Sequence, residues 1–315
     1  MTQRQFAMVF PGQGSQSVGM MAGYGDHPVV QQVIERASAA LGQDLGALMR
    51  DGPAEDLGRT VNTQPVMVTA GYAAWCLWRE LGGPEPSVVA GHSLGEYTAL
   101  VVAGVLSLEQ CLPIVRFRAE AMQMAVPVGT GAMAAVLGLD DDTVRGACAE
   151  AAQGEIVEAV NFNAPSQVVI AGHAAAVERA GVAAKARGAK RVVSLPVSAP
   201  FHSSLMAPAA ARLAERLAIE PLAQPRIPVI HNVDVQQYRE AAQIRAALVG
   251  QADHPVRWTE TVRAMAASGV DTIVECGPGK VLAPLARRID DRLTGTALID
   301  RASIEEAIRT LSEAS

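Results

Sequence analysis

Apolar residues follow two rhythms along this chain: short unbroken runs that stop at glycine or proline, and longer stretches where they recur every three or four positions. FAMVF (residues 6–10) is an unbroken run closed by Pro-Gly, which predicts a buried strand feeding a loop. PVVQQVIERASAALG (28–42) and PVMVTAGYAAWCLWRELGG (65–83) have helical spacing, and glycine closes both. PSVVAG (86–91) predicts a second short strand, and LGEYTALVVAGVL (94–106), rich in alanine and leucine, a buried helix. Farther on, RIPVIHNV (226–233) and DTIVEC (271–276) predict strands. Helices are expected near 241–249, at 258–268 and within GPGKVLAPLARRI (277–289). Strands alternating with helices argue for a parallel sheet covered on both faces.

A different rhythm fills 131–197. AMAAVLG predicts a strand, DDDTVRGACAEAA a helix opened by an aspartate cap, and EIVEAVNFN and SQVVIAG two strands joined across APS. AAAVERAGVAAKARG is then a helix and AKRVVSLPV a strand, giving β-α-β-β-α-β, the ferredoxin-like order. An RNA-binding module shares that order, but the aromatic strand it stacks bases on is missing. The expected organisation is a large α/β domain, residues 1–128 and 198–315, with a small ferredoxin-like subdomain inserted at 129–197.

Composition narrows the function classes. Half of the 315 residues are hydrophobic, enough for a large core, and the formal charge of −6 with no Lys/Arg run argues against nucleic acid. Cys76, Cys111, Cys148 and Cys276 lack CxxC spacing and read as reduced core residues rather than disulfides or a zinc site. The first residues lack a signal-peptide layout, and no run approaches the roughly 20 apolar residues of a membrane span. A cytoplasmic protein without a metal is expected.

Gly91-His92-Ser93-Leu94-Gly95 fits G-x-S-x-G between a predicted strand and a predicted helix, the context in which that motif holds a nucleophile on a strained turn. The helix N-terminus would offer N–H groups to a developing oxyanion. An incidental serine in a glycine-rich loop is the alternative. A serine needs a base, and six histidines are available. His92 adjoins the serine and is expected to line the pocket, while His27, His173 and His254 read as loop residues. His202 follows a predicted strand, so at the carboxyl end of a parallel strand it would face the ligand edge; it also follows the serine in chain order. His231, in VIHNVD, is the second choice. The glycine loop FPGQGSQSVGM (10–20) departs from the dinucleotide fingerprint, and CGPGKVL (276–282) lacks P-loop spacing. The first is either a tight turn or the source of an oxyanion donor beside Leu94.

Taken together, MVFPGQGSQ, TQP, GHSLGEYTAL, the R-x-R…MQ…VP-x-GTGAM stretch, N-x-N-x-P-x-Q-V-V-I-A-G, PVS-x-P-x-H…LM-x-PA, NVD and E-x-GPGKVL occur in order along nearly the whole chain. In these motifs the sequence resembles the malonyl-CoA:acyl-carrier-protein transacylases of fatty-acid synthesis. The resemblance implies a large α/β-hydrolase-like domain with a ferredoxin-like insertion, Ser93 as the acyl-accepting nucleophile and His202 as general base and acid. It further implies that the backbone carbonyl of Gln251 orients His202, that the N–H groups of Gln13 and Leu94 form the oxyanion hole, and that Arg118 pairs with the malonyl carboxylate. Gln64, His92 and Met133 either line the acyl pocket or merely pack. Asn161 and Asn163 either contact the pantetheine arm or diphosphate, or satisfy turns. Phe201 would crowd an α-methyl branch. Malonyl-CoA and holo acyl carrier protein are the implied partners of a monomer that needs no cofactor. The same residues leave open a lysophospholipase-like esterase, a non-catalytic ferredoxin-like binding module, or the same chemistry serving a malonate decarboxylase or polyketide pathway.

Overall fold

A computed structural model describes residues 5–197 and 199–312, with nine strands among them. Five build one sheet: β1 (Phe6–Phe10), β2 (Val88–Gly91), β7 (Val229–Ile230), β8 (Thr272–Cys276) and β9 (Thr294–Leu298), in the order β7-β2-β1-β8-β9. Every pairing in it is parallel. The unbroken apolar runs have their cause here: all residues of β1, β2, β7 and β8 are buried, because helices cover both faces. The helices Pro28–Leu41, Thr60–Glu80, Gly95–Val102, Leu108–Met124 and Ala207–Ala218 share the larger core cluster on one face. Trp258–Ala267 and Ala283–Ile289 cover the other.

The other four strands, β3 (Gly131–Leu137), β4 (Val157–Ala164), β5 (Gln167–His173) and β6 (Arg191–Ser194), form an antiparallel sheet in the order β4-β5-β3-β6. With the helices Asp141–Ala152 and Ala174–Ala186 this is the β-α-β-β-α-β order expected from sequence. Alternation along the strands sorts the side chains by face. Ala134, Val136, Ala159 and Ile170 meet the two helices, while Met133, Val160, Val169 and Ala171 point toward Leu195, Val197 and Phe201. That second face covers the candidate site. The expected boundary at residue 198, and the serine of the PVS motif at that position, lie outside the described residues, as do the chain ends.

Several elements differ from expectation. The strand expected at 226–233 shrinks to the two residues of β7, because the chain then turns sharply through Val235, whose φ is 62°. The strand expected across 189–197 pairs only at Arg191–Ser194. The helix expected from 65 begins at Thr60, so Pro65 lies inside it as the sixth residue, past the first turn whose N–H groups lack a helical acceptor anyway. Strand β9 and the last helix, Arg301–Ser312, were not foreseen: TGTAL has only two buried positions, too few to signal a strand.

Sterics explain the G-x-S-x-G spacing. A Cβ on Gly91 would lie 1.8 Å from the Gly95 carbonyl carbon, and one on Gly95 would lie 2.0 Å from the Phe10 carbonyl oxygen. Strand and helix therefore cross at backbone contact, and Ser93 between them sits at φ 51°, strained for a residue with a side chain. Gly91→Ala cannot be absorbed by a side-chain shift, since all three nearest atoms are backbone. It is expected to cost more than about 4 kcal/mol, read as lost soluble yield or a collapsed denaturant midpoint. A wild-type midpoint would show that the turn has slack.

Candidate active site

Ser93 Oγ lies 2.7 Å from His202 Nε2, across 109 residues of chain, and His202 Nδ1 lies 2.8 Å from the Gln251 carbonyl oxygen. The carbonyl can only accept, so Nδ1 carries the proton and Nε2 is left free to take one from the serine. Of the six histidines His202 is the one that faces Ser93, but not for the reason expected from sequence. The strand before His202, β6, belongs to the antiparallel sheet, so His202 is not at the carboxyl end of a parallel strand. It sits in a turn before the helix Ala207–Ala218, held at φ 65°.

Arg118 occupies the buried face of the helix Leu108–Met124 and is 2% exposed, not solvated as an arginine on an amphipathic helix usually is. Its Nη2 donates to Ser93 Oγ at 3.2 Å and to Gln251 Oε1 at 3.0 Å, and its carbon lies 5.5 Å from the Tyr97 ring centroid. Among the described residues no carboxylate lies within 4.0 Å of it, and its Nε has no partner. Burial lowers its pKa. A desolvated cation beside the nucleophile, with no anion of its own, is the chemical signature of a site built for one.

Behind these groups runs a buried polar network. Asn232 Oδ1 accepts from the Ser93 N–H (2.7 Å), and its Nδ2 donates to the Gly91 carbonyl (2.7 Å), which clamps both sides of the strained turn. Gln251 Nε2 donates to the Ser93 carbonyl (3.0 Å) and to Glu96 Oε2 (2.8 Å). Glu96 also accepts from the Asn232 N–H (3.0 Å) and faces His231 Nδ1 (2.7 Å). The second-choice histidine is thus committed to a carboxylate and does not face the serine. Glu96 and Asn232 were not singled out from sequence, although both stand inside the quoted motifs GHSLGEYTAL and NVD.

A cavity of about 120 Å³ opens over the dyad. Of the residues proposed from sequence, Gln13, Gln64, His92, Ser93, Leu94, Arg118, Met133, Asn161, Phe201 and His202 line it; Leu195 and Val197 complete it and were missed. Gln251 lies behind His202, outside the lining. Asn163 is also outside: its Oδ1 faces His92 Nε2 at 2.7 Å, so it steadies the histidine ring, which stands 5.5 Å from the Trp258 ring. Among the described residues none accepts a hydrogen bond from the backbone N–H of Gln13 or Leu94, two donors left for a ligand oxygen. The CGPGKVL loop has a structural role: the buried Glu275 carboxylate accepts from the N–H groups of Val281, Leu282 and Ala283, and a Cβ on Gly279 would meet Ser15 of the other glycine loop at 3.1 Å. His27 caps the helix Pro28–Leu41, and His173 accepts from the Ile156 N–H at 2.9 Å, so neither is free in solvent.

Burial above all, then the neighbouring Arg118 charge, pushes the His202 imidazole down to about 3, with the Gln251 carbonyl pulling weakly upward. An ordinary histidine titrates near 6.5, roughly where acid loss of a histidine base is first looked for. Here the neutral, proton-accepting form persists well below that. Acylation is therefore expected to stay level as pH falls through 6.5 and to decline only toward 3, measured in single turnovers after brief pH jumps. The unfolded chain binds this proton near 6.5 and the native chain near 3, so between those values native stability drops as pH drops. Rate and fold must therefore be followed together. An acid limb centred at 6.5 in folded protein would contradict the buried dyad.

The family model described as acyl transferase domain matches residues 7–292. The malonyl CoA-acyl carrier protein transacylase of Salmonella typhimurium is 53% identical over 305 residues, 96% of this chain and 99% of that protein. A crystal structure of the acyl-carrier-protein S-malonyltransferase of Burkholderia pseudomallei superposes with TM-score 0.95 at 58% identity, covering 97% of this chain and 99% of that one. A type II PKS acyl-carrier protein in complex with its malonyl-transacylase matches with TM-score 0.96 at 51% identity, covering 97% and 99%.

Proposed function

The chain belongs to the malonyl CoA-acyl carrier protein transacylases, within the acyl transferase family, and from that membership we propose a residue-level route for its reaction. It is an acyltransferase that moves the malonyl group of malonyl-CoA to acyl carrier protein. Ser93 Oγ attacks the thioester carbon while His202 Nε2 takes its proton; the C–S bond breaks, and the CoA sulfur leaves with that proton. The malonyl ester on Ser93 is then attacked by the phosphopantetheine thiol of the carrier, His202 again accepting and returning one proton. The N–H groups of Gln13 and Leu94 would hold the oxyanion in both steps. Arg118 carries the assignment of substrate. Its unpaired, buried guanidinium beside Ser93 suits an acyl group ending in a carboxylate, which a plain esterase substrate lacks. The unpartnered Oδ1 of Asn161, on the cavity wall, suits an amide N–H of the pantetheine arm.

The pathway we infer is fatty-acid chain elongation. A monomer acting in the cytoplasm fits a site whose dyad, guanidinium and two amides come from one chain. Ester–thioester exchange calls for no redox group or metal, and the net charge of −6 favours no nucleic acid.

Two measurements test the assignment. Brief exposure to malonyl-CoA is expected to add one malonyl mass to wild type and none to folded Ser93→Ala; an undiminished adduct on the variant removes Ser93 as nucleophile. Arg118→Ala leaves the substrate carboxylate buried and uncompensated, a cost of about 3–5 kcal/mol. Malonyl kcat/KM is then expected to fall by roughly two to three decades or more. Because Arg118 also donates to Ser93 Oγ and Gln251, acetyl transfer is expected to fall too, by much less. Arg118→Lys keeps the charge without the planar fork and should lie between. Equal losses for malonyl- and acetyl-CoA would mean that Arg118 supports only the fold of the site.

A further inference from the structure

Glu96 opens the helix Gly95–Val102 directly behind the nucleophile and is wholly buried, as are His231, Asn232 and Gln251. Two of its three hydrogen bonds go through one oxygen. Oε2 accepts from Gln251 Nε2 at 2.8 Å and from the Asn232 N–H at 3.0 Å, and Oε1 faces His231 Nδ1 at 2.7 Å. Three donors converging on one carboxylate is the arrangement its ionised form needs. His231 Nε2 has no partner among the described residues, so the neutral ring with its proton on Nδ1 leaves no buried N–H unpaired.

Each of the two residues that Glu96 holds has a second task at the site. Asn232 clamps the Ser93 turn from both sides. Gln251 supplies the carbonyl for His202 Nδ1, and its side chain ties the Ser93 carbonyl to Glu96 and takes a hydrogen bond from Arg118. The Gln251 amide therefore stands between Arg118 and Glu96, with its oxygen toward the cation and its nitrogen toward the anion. Glu96 gives the guanidinium a nearby counter-charge without occupying it, so Arg118 stays open to a substrate carboxylate.

We propose that Glu96 and His231 form the positioning pair of this site: the carboxylate sets nucleophile, base and guanidinium through Asn232 and Gln251, and His231 holds the carboxylate in the orientation that does so. The proposal rests on Ser93 and His202 acting as the acyl-transfer dyad. Burial makes it testable, because no water is at hand to replace a lost donor. His231→Leu removes the donor to Oε1. His231→Asn keeps one, since Asn Nδ2 stands as many bonds from Cα as the imidazole Nδ1 and can donate to the same oxygen.

The test compares wild type, Glu96→Ala, His231→Leu and His231→Asn by three readouts: fluorophosphonate labelling of Ser93, malonyl-CoA acylation, and Tm. Misplacing reacting groups by about 1 Å is worth up to about a hundredfold in rate, so His231→Leu is expected to lose about tenfold or more in both labelling rate and kcat. His231→Asn should recover to within about threefold of wild type. Glu96→Ala is expected to lose about a hundredfold and also to raise KM for malonyl-CoA, because Gln251 no longer holds Arg118. Should Glu96→Ala not fold, the two histidine variants decide. A His231→Leu protein with wild-type labelling and kcat, whatever its Tm, overturns the pairing, as does a His231→Asn protein no better than His231→Leu. Labelling does not use malonyl-CoA: a wild type that labels but takes no malonyl group overturns the transacylase reading and leaves this comparison standing.

Discussion

The organising constraint of this protein is one positive charge kept out of water. The Arg118 guanidinium, 2% exposed, has no carboxylate within 4.0 Å among the described residues, so the surroundings must compensate it in other ways. They do so with the face of Tyr97, the oxygen of Gln251, the hydroxyl of Ser93 and, across the Gln251 amide, the more distant Glu96. The same charge depresses His202, second only to burial itself. Ser93 and His202 therefore both sit in the field of the same buried cation. A substrate carboxylate arriving at Arg118 would complete the charge balance that the protein leaves open, and would ease the pressure on His202 as it did so.

Geometry supports this in layers of decreasing strain. Ser93 and His202 both hold positive φ, a conformation that persists only when neighbours over-determine it. For Ser93 the neighbours are plain: Asn232 takes its N–H, Gln251 takes its carbonyl, and Gly91 and Gly95 let strand and helix touch. The small subdomain contributes the opposite wall. The face of its sheet carrying Met133 and Val169 closes the cavity with Phe201, while Asn163 on β4 reaches across to His92. On the proposed route these walls would limit the access of water to an ester that must survive until a thiol arrives.

How much of this was legible depends on whether the cause was local. The parallel strands were, because two-sided burial forces unbroken apolar runs; β9 was not, because only two of its residues are buried. Ser93 was readable because its steric needs put glycines at fixed offsets. His202 was readable only by chain order and resemblance. Its partner contacts span 109 and 49 residues, and the strand before it belongs to the other sheet. Arg118 could be placed by motif, but its burial could not, since helical spacing in VRFRAEAMQ does not reveal which face meets the core. Glu96 stands in the first turn of a helix, where a carboxylate is commonly solvated, and was not singled out. Only the packing of the 231–232 segment and Gln251 around it makes it a hub.

The replacement of a triad carboxylate by a backbone carbonyl has a consequence for which nucleophile can finish the reaction. A carboxylate on Nδ1 would stabilise the imidazolium by full charge; the Gln251 carbonyl does so only by its dipole, and Arg118 opposes it. Burial above all, and then Arg118, makes His202 a weak base, held near 3 in the free enzyme. Such a base takes a proton from water, whose pKa is about 15.7, only as the oxygen bonds to carbon and its acidity rises, as it does for the Ser93 hydroxyl. A thiol at about 8.5 lies some seven decades nearer in proton affinity, so the same imidazole assists it far better. On the proposed route, partition between transfer and hydrolysis would then depend on the electrostatics of the base as well as on exclusion of water. Strengthening the base, for instance with a carboxylate facing Nδ1, would push the site toward the hydrolase it resembles in outline.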